Sequence, residues 1–181
     1  MTTTSSASLQ DSRALDLLRA CSERIRRACE EPVLLQEVCE AAVSHGGYRM
    51  AWIGYAQEDY DRTIKPMAWA GEEQDYIAQG HFSWGDNPYG QGPSGIAIRT
   101  GRPALVEDVA TDPDFAPWCD KALSRGFRST AAFPLRHEGD ILGGLFLYSD
   151  QPGSFQEGEV NLLQELAWHV SFGVAALRTQ A

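Results

Sequence analysis

The segment Ile141–Tyr148, with the sequence ILGGLFLY, is apolar at almost every position. Successive side chains of a β-strand point to opposite faces of the sheet, so this strand is apolar on both faces. Such a strand is typical of the middle of a sheet that is covered on both sides. The Gly143–Gly144 pair within it permits close approach by another backbone or by a ligand. The chain is therefore expected to fold around this strand, with one layer on each face.

Other segments predict the strands that surround it. Arg128–His137 is expected to form a hairpin with the central strand. The alternating, aromatic-rich segment Tyr48–Ala56 and the segment Ile64–Ala70 predict two further strands, and Ala104–Val109 predicts a short one. Pro66 cannot donate a ladder hydrogen bond, which places the strand that contains it at an edge. The strands are joined by short connections, so the sequence predicts an antiparallel sheet and an α+β fold.

Helical patterns flank these strands. Residues 1–11 are rich in Ser and Thr and are predicted to be a disordered tail, with a single domain over residues 12–178. Helices are expected from about Ser12 to Cys29, from Pro32 to His45, and over 72–79, 96–100, 115–124 and 156–178. The last helix carries two adjacent apolar stripes, which are Val160, Leu163, Ala167, Val170, Val174, Leu177 and Leu162, Leu166, His169, Gly173, Ala176. Two stripes suggest a second packing partner, either the N-terminal helix or another subunit, although both can also pack within one monomer.

The composition excludes several classes of protein. A hydrophobic content of 43% in 181 residues is enough for a core and is not typical of a disordered chain. The formal net charge of −10 disfavours binding to nucleic acid or to anionic membranes. No apolar stretch is long enough to span a membrane, and the first residues do not resemble a secretory signal. Four cysteines without CxxC spacing suggest the reducing cytoplasm.

Four segments together resemble a known family. They read MAWIGYA, GPSGIAIRTGRPALVEDVATDPDFAPW, RGFRSTAAFPLRHEGDILGGLFLYS and FQEGEVNLLQELAWHV. From about Leu15 to Leu177 the chain is similar to the GAF domain, as found in bacterial sensor histidine kinases and diguanylate cyclases. The resemblance implies a six-stranded antiparallel sheet, with the N- and C-terminal helices on one face. On the other face, short helices and loops would form a small-molecule pocket.

The resemblance also implies a function. GAF domains commonly pair through their terminal helices and pass signals along them to an output domain. The chain is therefore expected to be a non-catalytic sensory module of bacterial signal transduction, for example in a two-component system. It is expected to form a homodimer and to bind an unidentified small molecule. An alternative is a dimerisation spacer whose pocket is filled by its own side chains.

The pocket residues are expected on the open sheet face, in the long loop Gly80–Gly95 and in the short helices that close over it. Aromatic rings would supply apolar walls, and Arg128 and Asp108 would orient a polar ligand. The candidates are Trp52, Trp84, Tyr89, Ser94, Ile96, Asp108, Phe115, Trp118, Arg128, Ser129 and Phe133. These aromatic residues are equally compatible with a closed core.

An enzymatic alternative depends on Cys119. The family includes the free methionine-R-sulfoxide reductase, whose nucleophilic cysteine lies in a Cys-Asp context, and Cys119-Asp120 occupies a comparable place. Ser94, however, stands where that enzyme has a second thiol, and a resolving thiol is needed to complete its cycle. Some GAF domains link a bilin through a cysteine in this region, but the residue that follows is usually His or Tyr. The signature of cyclic-nucleotide-binding GAF domains is absent.

Metal and phosphate motifs are also absent from the sequence. The four histidines, His45, His81, His137 and His169, do not have the spacing of metal ligands. There is no GxxxxGK[ST] phosphate loop and no GxSxG nucleophile motif. The sequence therefore predicts no metal and does not identify a cofactor.

Overall fold

The computed structural model of the chain describes residues 3–72 and 75–180. The helices are α1 (Thr3–Arg27), α2 (Glu31–Ser44), α3 (Tyr76–Gln79), α4 (Pro93–Thr100), α5 (Cys119–Ser124) and α6 (Glu157–Gln180). The strands are β1 (Met50–Ala56), β2 (Ile64–Gly71), β3 (Ala104–Val106), β4 (Ser129–His137) and β5 (Asp140–Ser149). Short 3₁₀ helices cover Pro88–Gly90 and Pro113–Trp118. No helix in these described ranges is long and apolar enough to cross a membrane.

The strands form one antiparallel sheet in the order β2-β1-β5-β4-β3. The doubly apolar strand β5 lies in the centre, between β1 and β4, as the sequence predicts. Strand β2, which contains Pro66, lies at an edge, because a residue without an N–H group leaves a gap in the ladder. Gly143 allows the close backbone approach expected of it, since a Cβ there would collide with the Gly54 carbonyl oxygen of β1.

The expectation of six strands is wrong, because the sheet in the described part of the chain has five. The nearest approach to a sixth strand is residues 82–84, which run beside the start of β2. There the Ile64 amide donates to the Phe82 carbonyl at 3.0 Å, and the Trp84 amide donates to the Arg62 carbonyl at 2.8 Å. The chain leaves this path on both sides, into α3 before it and into a 3₁₀ helix at Pro88 after it. Only an isolated bridge between Thr63 and Ser83 results.

Helices α1, α2 and α6 cover one face of the sheet. Their buried side chains pack on alternate residues of the strands, among them Ile53 of β1, Phe133 of β4 and Leu145 and Leu147 of β5. In the second stripe of α6, Gly173 packs on the N-terminal helix, because a Cβ there would lie 3.0 Å from Ile25, whereas Ala176 of the same stripe is exposed. This layer is hereafter called the helix layer.

The helix layer differs from expectation at its first helix. Helix α1 begins at Thr3, whereas the sequence predicts a start at about Ser12. Its buried residues are Ala14, Leu17, Leu18 and Cys21, whereas Leu15 and Ile25 are only half-buried. Residues 1 and 2 lie outside the described residues. The division into a tail of 1–11 and a domain of 12–178 stays a prediction.

The opposite face of the sheet carries a second, aromatic core. Helices α3, α4 and α5 and the loops between them enclose it, and we call this half of the molecule the cup. Its rings contact one another closely: Trp52 lies 4.7 Å from Phe82 and 4.4 Å from Phe146, measured between ring centroids. Phe127 lies 4.8 Å from Tyr148. Aromatic pairs at these distances are stabilised beyond the burial of their area.

Four of the aromatic rings in the cup lie against a glycine. A Cβ at Gly144 would lie 2.5 Å from Phe146, and one at Gly54 would lie 2.6 Å from Trp52. A Cβ at Gly92 would likewise collide with the Trp118 ring, and a Cβ at Gly80 would collide with the Phe82 ring. In three of the four pairs, the glycine and the aromatic residue are two positions apart in sequence, so the ring lies over a nearby residue of its own segment. The glycines thus provide the space that lets large rings fill the cup.

A buried carboxylate links the ends of the chain in the helix layer. Glu159 of α6 has no exposed surface, and its Oε1 accepts hydrogen bonds from Arg13 Nε at 3.2 Å, Arg13 Nη2 at 3.0 Å and Tyr48 Oη at 2.5 Å. Arg13 Nη2 also donates to Ser154 Oγ at 2.9 Å. Burial raises the pKa of Glu159, although the bonds from Tyr48 and Arg13 oppose this effect. The network fixes the start of α6 to α1 and to the segment that enters β1.

Replacing Gly144 by alanine is expected to lower the free energy of unfolding by about 1–3 kcal/mol. The new Cβ would occupy space held by the Phe146 ring. The double variant Gly144→Ala/Phe146→Leu should show a favourable coupling in a double-mutant cycle by urea unfolding, because leucine lacks the ring atoms that collide. Additive effects would contradict the proposed collision.

Glu159→Gln is expected to change how stability depends on pH. A carboxyl group whose pKa is higher in the folded than in the unfolded state binds more protons when folded, so its contribution to stability falls as pH rises through that interval. Glutamine cannot ionise, so the melting temperature of Glu159→Gln minus that of the wild type should increase between about pH 4 and about pH 8. Thermal unfolding of both proteins in matched buffers measures this difference. A difference that is constant or decreases with pH would disprove the assignment.

Candidate functional site

The cup contains a small cavity between the sheet and the short helices. Its volume is only about 10 Å³, which is enough for one water molecule. Its apolar walls are Phe82, Pro93, Phe115, Trp118, Ala132 and Phe146. Three hydroxyl-bearing residues complete the lining, Ser94, Thr130 and Tyr148. Among the described residues that line it, none carries an ionisable acid or base other than the phenol of Tyr148.

Four predicted site residues come together here. Ser94, at the start of α4, and Phe115 and Trp118, in the segment before α5, line the cavity. Trp52 lies beside them in the same core, fully buried, and its Nε1 donates to Tyr148 Oη at 3.0 Å. Trp118 Nε1 donates to the His81 carbonyl at 2.9 Å, which fixes the chain before Phe82.

Three other predicted residues lie outside the cavity. Trp84 Nε1 donates to the Gln57 carbonyl at 2.8 Å, and the Arg62 guanidinium lies 4.8 Å above the Trp84 ring. Tyr89 is 40% exposed and stacks on His81 with 4.2 Å between ring centroids. Ile96 lines a separate surface cleft between α4 and β3. These three side chains belong to the cover of the cup and do not line its cavity.

Asp108 and Arg128 form a pair at the surface, not in the cavity. The distance between Arg128 Nη2 and Asp108 Oδ1 is 3.5 Å, and both side chains are partly exposed. Asp108 Oδ1 also accepts from the Ala110 amide at 3.0 Å and so stabilises the turn after β3. The pair therefore stabilises the connection between β3 and β4 and does not line the cavity.

Ser129 and Phe133 do not face the cavity. Phe133 is buried in the helix layer, because alternate side chains of β4 point to opposite faces and it is Thr130 and Ala132 that reach the cup. Ser129 shares the face of Phe133, and its Oγ donates to the Gln151 carbonyl at 2.6 Å. Alternation predicts two faces for β4 but does not indicate which face meets which layer.

Six residues that line the cavity are not among the candidates predicted from the sequence: Phe82, Pro93, Thr130, Ala132, Phe146 and Tyr148. For two of them a signal was present, because Phe146 and Tyr148 alternate with Leu145 and Leu147, which face the helix layer. Phe82 lies in the loop Gly80–Gly95, which the sequence predicts to border the pocket, but no local pattern marks Phe82 itself. It comes from a segment without regular secondary structure, and its position depends on contacts with Trp52 and Trp118.

The hydroxyl groups of the cavity are uncharged at neutral pH. Burial raises the pKa of Tyr148 to about 12, and hydrogen bonds with Trp52, Tyr76 and Thr130 only partly oppose it. Burial likewise raises the pKa of Tyr76 well above its usual value. Thr130 Oγ1 donates to the Leu147 carbonyl at 2.9 Å. The cavity therefore offers neutral hydrogen-bonding groups within apolar walls.

The cysteines are dispersed. Cys119 is half-buried at the start of α5, whereas Cys21 and Cys39 are buried in the helix layer on the other side of the sheet. Burial raises the pKa of Cys21 to about 12, so its thiol is protonated and unreactive at neutral pH. Cys29 is exposed after the end of α1. No cysteine is among the described residues that line the cavity.

Metal ligands are not grouped in the structure. Within residues 3–72 and 75–180, no group of three or more His, Cys, Asp or Glu side chains could hold a metal ion. Among the described residues that line the cavity, none carries a charged group that could hold an anionic cofactor.

Comparisons with solved structures indicate the same fold over most of the chain. The free methionine-R-sulfoxide reductase from Neisseria meningitidis, in complex with its substrate, is 20% identical with a TM-score of 0.76, over 93% of this chain and 92% of that one. The GAF domain of a phosphoenolpyruvate-protein phosphotransferase from Coxiella burnetii is 17% identical with a TM-score of 0.73, over 94% and 97%. A domain of a putative two-component sensor histidine kinase from Sinorhizobium meliloti 1021 is 20% identical with a TM-score of 0.60, over 82% and 92%. At these identities the likeness is evidence for the fold alone.

Sequence comparison identifies the family. None of the curated proteins compared with the chain matches it in sequence. A family model for the GAF domain matches residues 30–175, which include every strand of the sheet. The chain therefore belongs to the GAF domain family.

Proposed function

We propose that the chain is a non-catalytic regulatory module of bacterial signal transduction, which relays a signal between its cup and its terminal helices. The observation that carries this proposal is the filled cup. A cavity of about 10 Å³ has no room for a substrate, and its described lining has hydroxyl groups but no thiol and no charged acid or base that would activate one of them. An enzyme of this fold would need room for its substrate and catalytic groups in the same place.

The arrangement of the thiols argues against a reductase. The reductase from Neisseria meningitidis has a similar fold, but the serine at position 94 cannot form a disulfide with Cys119. Cys21 and Cys39 are buried on the far side of the sheet, and Cys29 lies in the same helix layer between α1 and α2, so none of the three can approach Cys119 without unfolding. A thiol cycle within one chain therefore lacks its second partner.

The terminal helices are suited to transmission. Arg13 contacts Glu159 near the start of α6 and Ile25 packs on Gly173 near its end, so α1 and α6 run side by side in the same direction. Strand β4 connects them to the cup, since Ala132 faces the cavity and the adjacent Phe133 faces the helix layer. A change in the cup would therefore reach α6 through one strand.

Exposed aromatic residues on α6 suit a homodimer. Trp168 is 51% exposed and Phe172 is 68% exposed, one helical turn apart on the same face. Neither belongs to the two apolar stripes of α6 described above. Large exposed aromatic residues are enriched at protein interfaces, and a second copy of the chain would cover both.

We place this module in the cytoplasm, as part of a sensor system of the two-component type. All four cysteines are unpaired, which agrees with a reducing compartment. A dimerisation spacer remains the second candidate, because a filled cup is also what a module without a ligand would have.

Turnover of free methionine-R-sulfoxide should be absent. With dithiothreitol as reductant, the wild type and Cys119→Ser should both form methionine no faster than a protein-free control. Cys29→Ser is the matched control, since it removes an exposed thiol far from the cup. Turnover that persists in Cys29→Ser but disappears in Cys119→Ser would identify the chain as an enzyme.

Trp168→Glu is expected to weaken dimerisation by at least about tenfold, because it places a charge in the centre of the interface. Sedimentation equilibrium should give the wild type about twice the monomer mass of 19.9 kDa, and the variant a mass near that of the monomer. Trp69→Glu, at a tryptophan that is 44% exposed on β2, is the matched control and should remain dimeric. A monomeric wild type, or a dimeric Trp168→Glu, would refute this interface.

A further inference from the structure

An open groove of about 770 Å³, which we call the edge groove, runs along the free edge of β2. Its other wall is α3 and the chain that follows this helix. Pro66 and Trp69 of β2 form the exposed part of its apolar surface. Ile77 and Phe82, which are almost fully buried, form the inner part. The edge groove thus lies on the outside of the molecule, separate from the closed cavity of the cup.

Trp69 is the most prominent side chain of the edge groove. It is 44% exposed, and it pairs across the strands with Trp52 of β1. Directly paired residues of an antiparallel sheet point to the same face, so Trp69 lies on the cup side of the sheet, beside a residue of the aromatic core. Tryptophan is enriched among the residues that contribute most to binding at protein interfaces. The exposed ring is therefore available to a binding partner.

The indole N–H group of Trp69 has no acceptor among the residues that the structure describes. The other tryptophans near the cup, which are Trp52, Trp84 and Trp118, each donate their indole N–H to an oxygen atom of the protein. An indole nitrogen donates a hydrogen bond and accepts none. A partner that covers Trp69 must therefore supply an acceptor, such as a backbone carbonyl group.

The edge groove is closed to another β-strand. Pro66 has no N–H group to donate, and β2 is irregular opposite Ile53 and Gly54. The Trp69 carbonyl lies at this edge, but it already accepts from Gln36 Nε2 at 2.9 Å. An added strand would meet a missing donor, an irregular register and an occupied acceptor, so the partner does not bind by extending the sheet.

Two carboxylates border the edge groove. Asp61 lies just before β2 begins and Asp75 lies shortly after it ends, and both are exposed. Neither takes part in an ion pair with another described residue. Lys65 also borders the groove, but it pairs with Tyr55, which faces the helix layer, so its side chain points to that face. The groove therefore presents two uncompensated negative charges, in a chain whose formal net charge is −10.

We propose that the edge groove binds a basic, proline-rich segment of a partner protein in the polyproline II conformation. This helix has no internal hydrogen bonds, so its carbonyl groups are free to accept from Trp69. Its proline rings pack on an aromatic surface. Because proline has no N–H group, such a segment does not need the hydrogen-bond ladder that Pro66 interrupts. Basic residues at the two ends of the segment pair with Asp61 and Asp75.

The chemistry of the edge groove disfavours other classes of segment. The backbone carbonyl groups of an α-helix already accept hydrogen bonds within the helix, so they do not satisfy the N–H group of Trp69. An acidic segment is repelled by Asp61 and Asp75, and by the negative charge of the whole chain. A basic segment is attracted by the same charges, which also raise its rate of association.

A partner in the edge groove contacts residues that adjoin the cup. Trp69 is the cross-strand neighbour of Trp52, and the ring of Trp52 lies 4.7 Å from that of Phe82, which lines both the groove and the cavity. Binding therefore takes place next to the aromatic core without entering it. This surface is additional to the regulatory function proposed above, and it depends neither on the dimer nor on the absence of turnover.

The experiment is a titration of the full chain with the fluorescein-labelled peptide RPLPPLPR, followed by fluorescence anisotropy. We expect saturable binding that weakens as salt is added, because exposed charge pairs are screened. The peptide EPLPPLPE reverses the charges, and RGLGGLGR lacks the prolines that preorganise the segment, so each should bind at least about tenfold more weakly. No saturable binding of RPLPPLPR, or equal binding of all three peptides, would overturn the proposal.

Variants of the chain locate the binding surface. Trp69→Ala should lower the affinity for RPLPPLPR at least about tenfold. The double variant Asp61→Asn/Asp75→Asn should bind more weakly than the wild type and lose most of the dependence on salt. Trp168→Ala removes a tryptophan that is 51% exposed on α6 and is the matched control, with wild-type affinity expected. An equal loss of affinity in Trp69→Ala and Trp168→Ala would exclude the edge groove as the site.

A second measurement uses the wild-type chain, so it does not depend on the folding of Trp69→Ala. The five tryptophans give indole signals in a ¹H–¹⁵N correlation spectrum, and Trp69→Phe and Trp168→Ala identify the signals of Trp69 and Trp168 by their absence. As RPLPPLPR saturates, the Trp69 signal should shift and the Trp168 signal should stay in place. A Trp69 signal that does not move would refute the proposal even if the peptide binds. None of these outcomes changes the tests of turnover and dimerisation, so the regulatory function is judged separately.

Discussion

The alternation of side chains along β4 and β5 is the constraint on which the structure depends. Leu145 and Leu147 face the helix layer, and Phe146 and Tyr148 face the cup, so the same ten-residue strand supplies both cores. A shift of one residue in its pairing would exchange the two sets. The fold is therefore stable only with a cover on each face, and the helices on one side and the loops and short helices on the other follow from this requirement.

The two cores differ in their chemistry, and this difference assigns their roles. The helix layer is mostly aliphatic, with few rings such as Phe133 and Phe155, and holds one buried carboxylate, Glu159, whose bonds to Arg13 and Tyr48 fix the terminal helices to each other and to the sheet. The cup is built from aromatic rings that lie on glycines. In the proposed regulatory function, change occurs in the cup, which holds the internal cavity, and transmission occurs through the helix layer, which holds the terminal helices.

Sequence reasoning was reliable where a local rule applied. The composition of β5 predicted its central place, and Pro66 predicted an edge for β2. It was less reliable where the outcome depended on the meeting of distant segments. Alternation along β4 was visible, but which face would meet the cup was not, so Phe133 was assigned to the wrong side. Phe82 was missed because its position is set by Trp52 and Trp118, neither of which is near it in sequence.

The missing sixth strand has a local physical origin. Residues 82–84 begin to pair with β2, but α3 precedes them and Pro88 follows, so the ladder cannot extend. The unpaired edge that remains forms one wall of an open groove of about 770 Å³, and the same three residues carry Phe82 into the cup. The interruption of the sheet is thus what lets this one segment both pair with the start of β2 and place an aromatic side chain in the core of the cup.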